Sequence, residues 1–113
     1  MAYQIKITAP AEDDIYSAFD RIKKVAPSVS EKWLRGIFKS IFTLTEMPDR
    51  CPMAPESEAL GLPIRHLLYG KKTAIHRIVF DIQNETNADH LVRILRVWHG
   101  KKDQIHVEDL DFE

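Results

Sequence analysis

Apolar and polar positions change their period along this chain, and the changes divide it into elements. Residues 2 to 8 alternate, with Tyr3, Ile5 and Ile7 against Gln4, Lys6 and Thr8, which predicts a short strand with one buried face. Pro10 then permits a first helical turn. From Glu12 to about Ala26 the apolar residues Ile15, Ala18, Phe19, Ile22 and Val25 keep helical spacing. Glu12, Asp13 and Asp14 at the start and Lys23 and Lys24 near the end suit the helix dipole. Pro27 ends this helix. Ser28, followed three residues later by Glu31, has the form of a capping box opening a second helix that runs to about Glu46. Its apolar set is Trp33, Leu34, Ile37, Phe38, Ile41, Phe42 and Leu44. Gly36 costs that helix about 1 kcal/mol relative to alanine, so a close approach there would explain it. The short link through Pro27 makes the two helices an antiparallel hairpin.

Met47 to about Leu60 holds Pro48, Pro52 and Pro55 and no periodic pattern, which reads as a loop long enough to carry function. Three strands follow, Leu62 to Tyr69, Ala74 to Ile82 and His90 to Trp98, rich in Ile, Val, Leu and aromatics. Their short connections contain Gly70-Lys-Lys72 and the polar run Gln83 to Asp89, so they form an antiparallel meander. The predicted order is β-α-α-β-β-β, an α+β fold in which a two-helix hairpin packs on one face of a small, mainly antiparallel sheet. The other face is then expected to meet solvent or a partner. The 113 residues suit one domain spanning 1–113.

Charge adds a second layer. The formal net charge is only −1, but it is unevenly placed. Residues 61 to 102 hold eight Lys and Arg against three Asp and Glu, while residues 103 to 113 hold none against five. A basic stretch beside an acidic tail suggests binding to a polyanion or to an acidic protein segment, partly screened by Asp109, Asp111 and Glu113. A sequence pI near 6.5 argues against a dedicated nucleic-acid binder. No apolar run approaches the roughly 20 residues that span a bilayer. The N-terminus lacks the pattern of a signal peptide, and a cytoplasmic protein is expected. Cys51, the one cysteine, has no partner for an internal disulfide and is assigned no role.

Candidate chemistry gathers near the end of the last strand. Uninterrupted alternation puts Val92, Ile94, Arg96 and Trp98 on one face and Leu91, Arg93, Leu95, Val97 and His99 on the other. In the third strand His76, Ile78, Phe80 and Ile82 read as core, so Arg77 points away from the hairpin. Arg65 and Arg96 joining it would line an open face with three guanidinium groups, whose planar forks match phosphate or carboxylate. The competing reading pairs each arginine with a local acid such as Asp81. His99 stands where strand becomes turn, and the charges of Lys101 and Lys102 favour its neutral form. A neutral imidazole there is able to deprotonate a ribose 2′-hydroxyl while arginines stabilise the pentavalent phosphate, help worth about 10² to 10⁴ in rate. The other histidines, His66, His76, His90 and His106, show no zinc spacing; no metal and no cofactor are expected.

Four segments together resemble a known family. They are Ala9-Pro-Ala-Glu-Asp-Asp-Ile15, the loop Pro52-Met-Ala-Pro-Glu56, the strand His76-Arg-Ile-Val-Phe-Asp-Ile82 and the closing Ile94-Leu-Arg-Val-Trp-His-Gly-Lys-Lys-Asp103. In order and spacing they are similar to the RelE/ParE superfamily of type II toxin-antitoxin toxins, the plasmid-stabilisation class. The resemblance implies a microbial-RNase-like β-α-α-β-β-β fold, growth inhibition by the free toxin, and neutralisation by a cognate antitoxin encoded beside it. RelE-like members cleave mRNA on the ribosome with basic residues and commonly a C-terminal tyrosine or histidine; ParE-like members lack that set and inhibit DNA gyrase. Here the chain after Trp98 has no tyrosine, and its Leu-Arg-Val-Trp-His-Gly-Lys-Lys-Asp run looks more like the ParE side. The resemblance therefore implies a gyrase-binding toxin, and the residue pattern places its expected binding face at Arg65, Arg77, Arg96, Lys101 and Lys102. The alternatives are an mRNA interferase with His99 as base and Arg77 and Arg96 on the phosphate, and a non-toxic homologue that only binds an antitoxin.

Overall fold

The computed structural model describes residues 2–71, 74–85, 89–100 and 105–110. A short strand β1 (Gln4–Ile7) leads into α1 (Ala9–Val25) and α2 (Pro27–Phe42), then into a segment of 3-10 turns and the one-turn helix α3 (Ser57–Leu60). Strands β2 (Ile64–Tyr69), β3 (His76–Glu85) and β4 (Asp89–His99) complete a four-stranded sheet of order β1-β4-β3-β2. The meander is antiparallel, and β1 joins it parallel to β4, with Ile5 opposite Val92 and Ile7 opposite Ile94.

Helix boundaries follow local chemistry. Thr8 caps α1: its Oγ1 accepts from the Ala11 N–H at 3.4 Å and donates to the Ile94 carbonyl at 2.8 Å, tying the helix start to β4. The expected capping box at Ser28 does not form. α2 begins two residues earlier than a cap at Ser28 implies, at Pro27, with Ala26 in the cap position and no side-chain cap. Proline's fixed φ and missing N–H suit the first helical position, and that preference places Ser28 inside the helix. Two glycines are structural. A Cβ on Gly36 would lie 1.9 Å from the Tyr69 hydroxyl, so the close approach inferred for this position is that of a strand tyrosine onto α2. Gly70, with φ 114°, turns the chain between β2 and β3 where a Cβ would meet the Ala74 carbonyl.

The hairpin covers one face of the sheet, as the pattern predicts. Ala11, Ile15, Ile37 and Ile41 pack there on Ile78, Phe80, Val92, Ile94 and Val97. The other face is not open, contrary to expectation. Ala54 and Leu60 from the proline-rich segment, Leu62 just ahead of β2, and Ile105 and Leu110 from the C-terminal segment cover Ile64, Val79, Leu95 and Trp98. Scattered apolar residues between 54 and 60 lack a period, so they read as loop although they help close a second core.

The alternation assigned to β4 also fails, at one point. Val79 pairs with Arg96 but Phe80 pairs with Ile94, so Leu95 is an extra residue, a β-bulge. Beyond it the faces exchange. Val97 joins Val92 and Ile94 under the hairpin, while Trp98 joins Leu95 on the other side. A bulge adds one residue without altering composition, and period-two counting cannot detect it.

Candidate interaction surface

Register places the predicted residues on two different faces. Arg77 is opposite Trp98 and Leu68, and Arg96 is opposite Val79, so both stand on the side away from the hairpin. Arg65 is opposite Phe80 and His99 is opposite His76, which puts both on the hairpin side. The structure thus brings together Arg77 and Arg96 and separates Arg65 and His99 from them. Lys101 and Lys102 lie outside the described residues.

Each of the three arginines is committed to the chain's own acceptors. Arg77 grips Glu56 with both terminal nitrogens, at 2.8 and 2.6 Å, and its Nε donates to His66 Nδ1 at 3.2 Å. The Ile105 N–H donates to the same carboxylate at 3.2 Å, so Glu56 joins the loop, β3 and the C-terminal segment. The Arg77 hydrogen bonds outweigh burial and hold the Glu56 carboxyl at about 2, well below the usual carboxylate range. Arg96 reaches Asp14 on α1 with Nε and Nη2, both at 2.7 Å, and its Nη1 donates to the Asp109 carbonyl at 2.9 Å. Its guanidinium carbon lies 4.9 Å from the centre of the Trp98 ring. Asp14 raises the Arg96 pKa further, chiefly by these hydrogen bonds. Arg65 donates to the carbonyls of Cys51 at 2.6 Å and Asp49 at 3.3 Å, pinning the start of the loop. Asp81, the local acid considered for these arginines, pairs instead with Arg93.

Nothing in the sequence singles out Glu56 and Asp14 as partners of these arginines. Asp14 reads as an acid suited to a helix start, and Glu56 as one carboxylate in a loop; only the fold shows that each meets an arginine far along the chain. The expected screening by the tail is present at Asp109, whose carboxylate lies 4.0 Å from Arg96; Asp111 and Glu113 lie outside the described residues.

On the hairpin side, His99 stacks edge-on against His76 with centroids 5.2 Å apart, and His76 meets Trp33 at 5.2 Å. Tyr69 closes the group by donating to the Trp33 carbonyl at 3.3 Å. Burial pushes the His76 pKa down, reinforced by the charges of His99 and Arg21, so this imidazole is held neutral. Among the described residues no group of three or more His, Cys, Asp or Glu is arranged to hold a metal.

The outer edge of β2 is covered only in part. The Ala54 N–H donates to the Ile64 carbonyl and the His66 N–H to the Pro52 carbonyl, so even-numbered residues of β2 turn their backbone outward. By the same alternation Leu68, 55% exposed, presents its N–H and C=O beyond the end of this cover. A groove of about 360 Å³ lies there, lined by Arg50, Cys51, Pro52, His66, Leu67 and Leu68. An open edge beside an apolar groove accepts an extended peptide.

Comparison with known proteins agrees with this architecture. A family model described as the ParE toxin of the type II toxin-antitoxin system, parDE, matches residues 5–104. Among solved structures, the chromosomal ParDE TA system from P. aeruginosa is similar at 18% identity and a TM-score of 0.66, over 87% of this chain and 96% of that one. No curated protein matches the chain.

Proposed function

Because the chain belongs to the ParE toxin family of type II toxin-antitoxin systems, we propose that it is the toxin of such a pair. In this reading it acts in the cytoplasm, is neutralised by a cognate antitoxin, and arrests growth by binding DNA gyrase. The observation that carries a binding mode over a nuclease is the division of His99 from Arg77 and Arg96 by the sheet itself. Cleavage of RNA needs a base and phosphate-holding cations within hydrogen-bond reach of one phosphate. Here the two guanidinium groups are already occupied by Glu56 and Asp14.

The binding face then works differently from a row of bare cations. Arg65, Arg77 and Arg96 shape it, by fixing the 51–62 segment and the 105–110 segment, and the antitoxin meets the surface they build. The open edge of β2 at Leu68 and the groove beside it suit an extended antitoxin segment.

Purified protein tested in parallel on gyrase supercoiling and on translated mRNA examines this reading. Loss of supercoiling with intact transcripts is the expected result. Cut transcripts abolished by His99→Ala would transfer the chain to the RelE-like mRNA interferases. Antitoxin binding with neither effect would make it a non-toxic homologue.

A further inference from the structure

The apex of the helix hairpin carries a surface that none of these contacts uses. α1 ends at Val25 and α2 begins at Pro27, so the chain reverses at Ala26. Val25, 86% exposed, and Val29, 47% exposed, crown the reversal. Around them stand Arg21, Lys23, Lys24 and Lys32, all exposed, and none of the four forms an ion pair among the described residues. Only two carboxylates, Asp20 and Glu31, lie in the same stretch, so the apex is locally positive. Lys23 and Lys24 are explained by the negative end of the α1 dipole. Arg21 also acts on His76, but Lys32 and the valines have no such role: an exposed valine gains nothing by burial and is a poorer helix former than alanine. The Lys23 ammonium sits 6.0 Å from the Phe19 ring, with its charge still exposed.

We propose that this apex is a docking surface for a partner protein that presents an apolar notch rimmed by carboxylates, and that the partner is the toxin's target. The proposal rests on the reading of the chain as a toxin. The cations would steer the encounter and the valines would fill the desolvated centre, the usual division between a charged rim and an apolar anchor. The valines select a protein over a nucleic acid, because a phosphate backbone pairs with lysines and leaves valine against water. The apex belongs to the hairpin layer, so a partner seated there leaves the Arg77 and Arg96 side of the sheet uncovered.

The test uses two variants of the full chain, Lys23→Glu/Lys24→Glu/Lys32→Glu and Val25→Ser/Val29→Ser, with folding checked by circular dichroism and by antitoxin binding. Both are expected to raise the inducer level that halves growth rate, and the protein concentration that halves gyrase supercoiling, by at least about tenfold. Antitoxin affinity is expected to stay within about twofold. If either folded variant is as toxic as the wild type, the apex is not the docking surface. Loss of toxicity on lysine reversal with none on valine change would point to a phosphate-bearing partner and overturn the proposal. Should the charge-reversed chain fail to fold, the valine variant decides by the same readouts. A wild type that arrests growth but spares supercoiling would overturn gyrase as target, while growth still judges the apex. A wild type that arrests nothing overturns the toxin reading and the apex with it.

Discussion

Asp14 and Arg96, 82 positions apart, share two hydrogen bonds of 2.7 Å, and the same Asp14 carboxylate accepts the Val97 N–H at 3.0 Å. β1 stops pairing with β4 at Ile94, and the bulge at Leu95 re-aims the strand immediately afterwards. Asp14 therefore takes over as acceptor for β4 where its neighbour strand ends, and locks the helix hairpin to the sheet.

Removing this lock is expected to be costly. Asp14→Ala leaves Arg96 with the Asp109 contacts and the Trp98 ring, and the Val97 N–H without its acceptor. Both members of the pair are mostly buried, at 18% and 14% side-chain exposure. A loss of about 2–3 kcal/mol is expected, below the full cost of breaking a completely buried pair. Thermal unfolding should show a midpoint roughly 10 °C lower.

Gly36 and Tyr69 supply a second, independent prediction. Gly36→Ala drives a methyl group into the tyrosine ring end and is expected to destabilise the fold by about 1–3 kcal/mol, the range for overpacking. In a Tyr69→Ala background the same change should become neutral or stabilising by about 1 kcal/mol, because alanine is then simply the better helix former. A double-mutant cycle by urea denaturation measures that reversal of sign.

Acid sensitivity should appear in two windows. Burial depresses the His76 pKa below its ordinary 6.5, so the unfolded chain binds the proton first and stability falls as pH drops below about 6.5. His76→Phe is expected to reduce that part of the profile, leaving the share of His66, whose pKa burial also lowers. The Glu56 carboxyl, lowered from 4.5 to about 2, adds stability that is present above pH 4.5 and is lost as pH falls towards 2. Glu56→Gln removes that lower step. Urea midpoints measured from pH 8 to pH 2 separate the two.

Much of the fold is legible in the residue pattern because local signals and burial agree. Ile15, Ala18 and Ile22 announce α1, Pro27 divides the hairpin, and Ile78 and Phe80 mark the covered face of β3. The failures share a physical cause. The bulge at Leu95 reverses the faces of Val97, Trp98 and His99 through one unpaired residue, and it removes His99 from the side that holds Arg77. The second core depends on Ala54, Leu60 and Ile105, which come together only through tertiary packing. Candidate charges were visible singly, but whether Arg77 and Arg96 are open to a ligand depends on Glu56 and Asp14, and no local spacing relates those pairs.

Whether the chain is a toxin is decided by inducing it alone and together with the antitoxin encoded beside it, following growth and soluble protein in both cultures. Arrest is expected with the chain alone, with growth restored by co-induction and a stable complex of the two proteins. Normal growth with abundant, folded, antitoxin-free protein would contradict the toxin reading.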